Sequence, residues 1–203
     1  MNKETLIQAC EKYPKIEGRA GFYDVAIEIA DTHPLQASVI ILATWNVGRF
    51  RFYASNSQSL INLEKAIEEC KPLFDRVKGK DFKNVDFNEI QDIVKQIYAT
   101  LSQVEIVKYT GASKIMHLFN RDLFLIWDED MRKKYGYKIK ANEHDYFDYL
   151  KRMQKEFGSI AWDMPNKTLT KAIDEYNFVT ITYPQMQERK RRRIQGQKRR
   201  KHV

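Results

Sequence analysis

Residues 110–137, TGASKIMHLFNRDLFLIWDEDMRKKYGY, carry the strongest structural and chemical signals in the chain. Gly111 and its short neighbours Ala112 and Ser113 are typical of a tight turn that opens into a helix. We expect the free backbone amides at such a helix start to bind a phosphate group. The stretch therefore predicts a helical fold with an anion-binding turn.

A lysine and an aspartate stand at the two ends of this unit. Lys114 falls in the predicted first helical turn, where the positive end of the helix dipole lowers the pKa of an amine. An amine must be neutral to attack carbon, so Lys114 is a candidate nucleophile. Asp128 follows an apolar run and is a candidate for accepting a proton or stabilising positive charge. In the structural alternative, Lys114 is simply solvated and Asp128 caps the helix that begins near Met131.

Outward from this unit, hydrophobic residues recur at helical spacing along almost the whole chain. Pro34 is placed to begin a central apolar helix, and Ser59 to cap the next one. Asp86 predicts a capping box and Asn142 a second cap. The only strand-like run, FVTITY at 178–183, is too short and solitary to imply a sheet. The sequence predicts an all-α protein.

Composition limits the class of protein further. With 43% hydrophobic and 31% charged residues among 203, the chain is typical of a soluble globular protein. It contains no apolar run long enough for a membrane span and only two cysteines. The histidines and cysteines lack metal-ligand spacing. We expect an intracellular protein, in the cytoplasm and nucleoid or in a nucleus, with no membrane partner, metal or cofactor.

The net charge of +8 comes entirely from residues 184–203, which hold nine basic residues and one acidic residue. Blocks of like charge are typical of disordered segments that bind polyanions. We therefore expect a disordered basic tail that tethers nucleic acid without reading sequence; a nuclear-import signal or a solubilising tail is the alternative. Its basic residues are Arg189, Lys190, Arg191, Arg192, Arg193, Lys198, Arg199, Arg200 and Lys201.

Residues 107–114 (VKYTGASK) and 125–128 (LIWD) resemble the hairpin and the aspartate segment of the helix-hairpin-helix DNA glycosylases. The resemblance implies that Lys114 is the Schiff-base lysine and Asp128 the assisting carboxylate. The chain departs from the family at Thr110 and Ala112, where glycines are usual.

Residues 41–46 (ILATWN) resemble the early central helix of the same family. This part of the resemblance implies that Asn46 or Arg49 enters the DNA as a wedge and that Trp45 stacks on a base.

The resemblance also implies a two-lobed helical body at 1–183, followed by the tail at 184–203. Residues 35–128 would form a central lobe, and 1–34 plus 129–183 a second lobe. The function it implies is a DNA-repair glycosylase, with or without AP-lyase activity, that acts on damaged duplex DNA. The alternatives are a non-catalytic helical protein that binds DNA or RNA, and a helical interaction protein in which the unit only packs.

Overall fold

The computed structural model describes the backbone of residues 1–200 and the side chains of residues 1–195. Within that range every regular element is a helix, which confirms the all-α prediction. The elements are α1 (Lys3–Ile16), α2 (Ala20–Ile29), α3 (Pro34–Trp45), α4 (Val47–Tyr53), α5 (Ser57–Arg76), α6 (Gln91–Gln103), α7 (Lys108–Phe119), α8 (Glu129–Lys134), α9 (Glu143–Phe157), α10 (Leu169–Asn177), a π-helix (Phe178–Thr182) and α11 (Tyr183–Arg200).

Two helix starts agree with the local sequence. Pro34 occupies the first turn of α3, where its missing N–H costs no hydrogen bond. The Asn142 side chain accepts from the Asp145 N–H, and the Asp145 carboxylate accepts from the Asn142 N–H, forming a complete capping box. Both starts depend only on neighbouring residues, which explains why the sequence predicts them.

Two other predicted starts are wrong by a few residues. Helix α5 is capped by Asn56, whose side chain accepts from the Gln58 N–H, so Ser59 lies inside the helix. Asp86 accepts from the Asn88 N–H in a turn, and α6 begins only at Gln91. In both places an Asn or Asp side chain accepts from the backbone N–H two residues on, Asn56 as the cap of α5 and Asp86 in a turn before α6.

The main core lies around α6, whose buried face includes Ile97 and Tyr98. Tyr98 stacks on Tyr146 of α9, and the two rings surround Trp127 at centroid distances of 6.1 and 5.2 Å. This core holds residues from both predicted lobes, beginning with Leu6. The division into lobes stays a prediction.

The C-terminal region differs from its prediction of disorder. Residues 178–182 form a π-helix, and α11 continues from it to Arg200. Because the π-helix is already packed, α11 extends an existing helix and avoids the cost of nucleation. Arg189 also forms a two-pronged ion pair with Asp130, at 2.8 and 2.7 Å. The side chains of Lys198, Arg199 and Arg200, and all of Lys201, lie outside the described residues.

None of the described helices combines the length and apolar character that a membrane crossing requires. Residues 1–200 also contain no group of three or more His, Cys, Asp or Glu side chains placed to hold a metal ion.

Candidate functional site

A cavity of about 280 Å³ lies between α1, α2, α3, α7, α10 and the π-helix. Lys114 and Asp128 both line it, so the fold brings the two predicted residues to one space. The volume is close to the lower limit for small-molecule pockets, about 300 Å³. Its other charged and aromatic lining residues are Tyr13, Arg19, Tyr23, Trp45, His117, Lys171, Asp174 and Phe178.

The predicted phosphate-binding turn before Lys114 is wrong. Gly111, Ala112 and Ser113 are buried inside α7, and the Gly111 amide donates to the carbonyl of Val107. The glycine serves helix packing, since a Cβ at this position would lie 2.9 Å from Cδ2 of Leu42 on α3. The signal that suggested a turn therefore marks a close approach between α3 and α7.

Lys114 lies in the middle of α7, not in its first turn. Its side chain is buried, and Nζ donates to the Trp45 carbonyl oxygen at 2.6 Å. Burial lowers the pKa of this amine to about 8, against the opposing effect of the nearby Asp128 charge. The direction of the shift agrees with the prediction, but its cause is desolvation and not the helix dipole.

Asp128 has a structural role and also lines the cavity. It is the N-cap of α8, where Oδ1 accepts from the Met131 N–H at 2.8 Å. Its other oxygen, Oδ2, accepts from the Thr182 hydroxyl at 2.6 Å. Burial raises the pKa of the carboxyl, although both hydrogen bonds oppose that shift. Lys114 and Asp128 form no ion pair with each other, so neither charge is neutralised by direct contact.

His117 lines the same cavity one turn after Lys114. Its Nδ1 lies 2.7 Å from the Phe124 carbonyl oxygen, which can only accept, so Nδ1 carries the hydrogen. Its Nε2 therefore accepts from the Tyr23 hydroxyl, also at 2.7 Å. Burial lowers the pKa of His117 to about 4, which keeps the imidazole neutral near pH 7.

Lys171 is a second buried lysine of the cavity, and the site prediction missed it. Its Nζ pairs with Asp174 at 2.7 Å and lies 4.7 Å from the ring centres of both Tyr13 and Tyr23. The carboxylates of Asp174 and Glu175 hold its pKa well above the usual range despite burial. The spacing of Lys171, Asp174 and Glu175 on a predicted helix was the available sequence signal.

Trp45 at the end of α3, Asn46 after it and Arg49 in α4 have different surroundings. Trp45 lines the cavity, and its buried Nε1 has no hydrogen-bond partner. Asn46 donates from Nδ2 to the carbonyls of Ile106 and Val107, at 3.2 and 3.1 Å. Arg49 donates to the Glu105 carbonyl at 2.9 Å. Asn46 and Arg49 thus hold the turn between α6 and α7, and the predicted wedge role stays a prediction.

Helix α11 begins beside the cavity, which Met186 also lines. Its basic residues from Arg189 to Arg193 are exposed. Arg189 pairs with Asp130, and Arg192 pairs with Glu188 at 2.8 Å. The group is therefore a solvent-facing basic surface that starts close to the cavity.

No protein-family model, curated protein or solved structure matches this chain.

Proposed function

We propose that this chain is a DNA-repair glycosylase with AP-lyase activity that uses Lys114 as a nucleophile and Asp128 as its electrostatic partner. The observation that carries the proposal is the single cavity that holds both side chains. The amine has a lowered pKa and the carboxylate is held by two hydrogen bonds, and the two form no ion pair with each other.

The lowered pKa makes Lys114 a practical nucleophile. At about pH 7.5, an amine with a pKa of about 8 is neutral in roughly a quarter of molecules. An ordinary lysine is neutral in about one molecule in a thousand at that pH. The environment therefore supplies a large fraction of the reactive form without a separate base.

The reaction begins with a nucleotide flipped out of the duplex. Neutral Lys114 forms a bond from Nζ to the anomeric carbon of the sugar while the bond from that carbon to the base breaks. The base leaves with the bonding electrons, and the nitrogen loses one proton. The bond from the anomeric carbon to the ring oxygen then breaks, and the ring oxygen takes up a proton as the sugar opens to a protonated imine. Loss of a proton from the adjacent sugar carbon then forms a carbon–carbon double bond, and the 3′ phosphate leaves with the electrons of the 3′ carbon–oxygen bond. Asp128 stabilises the positive charge that develops on the sugar.

The surroundings of the pair suit a nucleotide. Tyr13, Tyr23 and Trp45 provide aromatic surface in the cavity, on which a flat base can pack. The exposed basic side chains of α11 offer sequence-independent contacts with phosphates, so we expect binding to weaken as salt rises.

Borohydride trapping tests this function. Duplex DNA with an abasic site and a panel of duplexes with damaged bases are incubated with the protein and reduced, and the covalent adduct is measured. We expect an adduct with wild-type protein and its complete loss in Lys114→Ala and Lys114→Arg, since neither variant can form the imine.

Lys108→Ala is the matched control. Lys108 is on the same helix, pairs with Glu105 and does not line the cavity, so this variant should keep the adduct. Failure of wild-type protein to form an adduct with any of these duplexes, or an adduct that persists in Lys114→Ala, would contradict the proposal. Salt-sensitive binding of duplex without an adduct would instead favour a non-catalytic nucleic-acid-binding protein.

A further inference from the structure

The π-helix at Phe178–Thr182 joins α10 to α11 and forms part of the cavity wall. Its register is visible in the hydrogen bond from the Tyr183 N–H to the carbonyl of Phe178, five residues earlier. Such insertions are rare and are frequent at functional sites. Each residue of an ordinary α-helix turns the chain by about 100°, so one inserted residue changes the direction in which the following side chains point.

Two threonines in the π-helix use their hydroxyl groups differently. Thr180 is exposed and donates to the carbonyl of Tyr176 at 2.7 Å, four residues back, as threonines in helices commonly do. Thr182 is buried at 7% exposure and donates to Oδ2 of Asp128, 54 residues away in sequence, at 2.6 Å. Of the two π-helix hydroxyls, only that of Thr182 contacts a residue of the candidate active site.

The Thr182 contact fixes the orientation of the Asp128 carboxylate. The Met131 N–H holds Oδ1 and the Thr182 hydroxyl holds Oδ2, so rotation of the carboxylate would break both bonds. A second contact joins the same two segments, since Arg189 of α11 pairs with Asp130 in the first turn of α8. Two residues from the C-terminal region of the chain, Thr182 and Arg189, therefore contact the start of α8.

We propose that Thr182 is a positioning residue that orients the Asp128 carboxylate in the cavity. In this proposal, the register of the π-helix directs the Thr182 hydroxyl toward Asp128. This inference rests on the proposed function only in assigning a catalytic role to Asp128. Because Thr182 directly precedes Tyr183, the first residue of α11, the same contact joins the basic helix to the candidate active site. Thr182, which contacts the Asp128 carboxylate, and the basic residues of α11, which would contact phosphates, therefore lie on one continuous helical segment.

A hydrogen bond donated to a carboxylate favours its ionised form, which is the form that stabilises positive charge on a sugar. Other charged and titratable groups also act on Asp128, so a substitution must leave them in place. They are Lys114 on α7, Asp130 and Arg132 on α8, Tyr149 on α9 and Arg189 on α11. Thr182→Val removes the hydroxyl alone and keeps the side-chain shape.

The test compares Thr182→Val, Thr182→Ser and the control Thr180→Val. The first readout is the pKa of Asp128, measured by carboxyl carbon NMR with an Asp128→Asn variant for assignment. We expect Thr182→Val to raise this pKa by about one unit, and Thr182→Ser and Thr180→Val to leave it near the wild-type value.

The second readout is the single-turnover rate of adduct formation, measured alongside DNA affinity. We expect Thr182→Val to slow adduct formation roughly tenfold with unchanged affinity, and Thr182→Ser to restore the rate. Protonation of Lys114 sets the acid limb of adduct formation near pH 8, and the further loss of rate on protonation of Asp128 should begin at a higher pH in Thr182→Val than in wild type. A merely structural role would lower thermal stability without moving the pKa or the pH profile.

The two proposals fail in different ways. An unchanged Asp128 pKa in Thr182→Val overturns the positioning role, whatever the enzyme does. If Thr182→Val raises the Asp128 pKa but the wild-type protein never forms an adduct, the positioning role is supported and the proposed glycosylase function is contradicted. If Thr182→Ser behaves like Thr182→Val in both readouts, the hydroxyl does not position the carboxylate and the inference is wrong.

Discussion

Two buried lysines line the cavity, one on α7 and one on α10, and they differ in what surrounds the amine. Lys114 donates to a backbone carbonyl and forms no ion pair, so burial lowers its pKa to about 8. Lys171 contacts the carboxylate of Asp174 and lies over two tyrosine rings, and its pKa is raised well above the usual range. Burial alone therefore favours the neutral amine, whereas burial beside carboxylates favours the cation.

This difference explains why only one of the two lysines is a candidate nucleophile. A permanently protonated amine has no free electron pair with which to attack carbon. Lys171 instead contributes a fixed positive charge to the cavity wall. In the same cavity, burial lowers the pKa of His117, whereas the carboxylates of Asp174 and Glu175 raise that of Lys171.

The largest stability effect should come from Lys171→Met. This change leaves the carboxylate of Asp174 buried without its cation, and removing one partner of a buried pair costs about 3–5 kcal/mol. Urea unfolding at pH 7 measures the loss, and Lys12→Met at an exposed position is the control, expected within about 0.5 kcal/mol of wild type. A loss below about 1 kcal/mol would show that the pair contributes little.

Lys114→Met should have a smaller effect of the opposite sign. At pH 7 the wild-type protein buries a charged amine without a carboxylate in contact, so methionine should stabilise the fold by about 1–3 kcal/mol. Urea unfolding at pH 7 measures the gain.

The pH dependence of this gain follows from the lowered pKa. Between about pH 8 and 10.5 the unfolded chain binds the Lys114 proton and the folded protein does not, so wild-type stability rises with pH. The advantage of Lys114→Met should therefore shrink across that window. A destabilised Lys114→Met at pH 7 would place Lys114 in the same class as Lys171.

The sequence predicts those parts of the fold that depend on neighbouring residues. The helical class follows from hydrophobic spacing, and the caps at Pro34 and Asn142 follow from local chemistry. The sequence does not predict helix α11. The run of basic residues is typical of disorder in an isolated segment, but in the folded chain this segment continues directly from a packed helix. The ion pair between Arg189 and Asp130 spans 59 positions and has no local signature.

The candidate site was predicted in part. The sequence predicts Lys114 and Asp128 as site residues, and both line the cavity. The predicted position of Lys114 in a first helical turn is wrong. Gly111 lies inside α7, where it does not form a turn but allows a close contact with Leu42, so burial and not the helix dipole lowers the pKa of Lys114. Thr182 and Lys171 come from distant segments, and only the folded chain brings them to the same cavity as Lys114.

The most direct test of this account is the titration of the two lysine amines in the folded protein. Lysine labelled with carbon-13 at Cε gives separate NMR signals, which Lys114→Arg and Lys171→Arg assign. We predict a midpoint near pH 8 for Lys114, and no deprotonation of Lys171 up to the highest pH at which the protein stays folded. A Lys114 midpoint at or above the ordinary value of about 10.5, or a common midpoint for both amines, would contradict it.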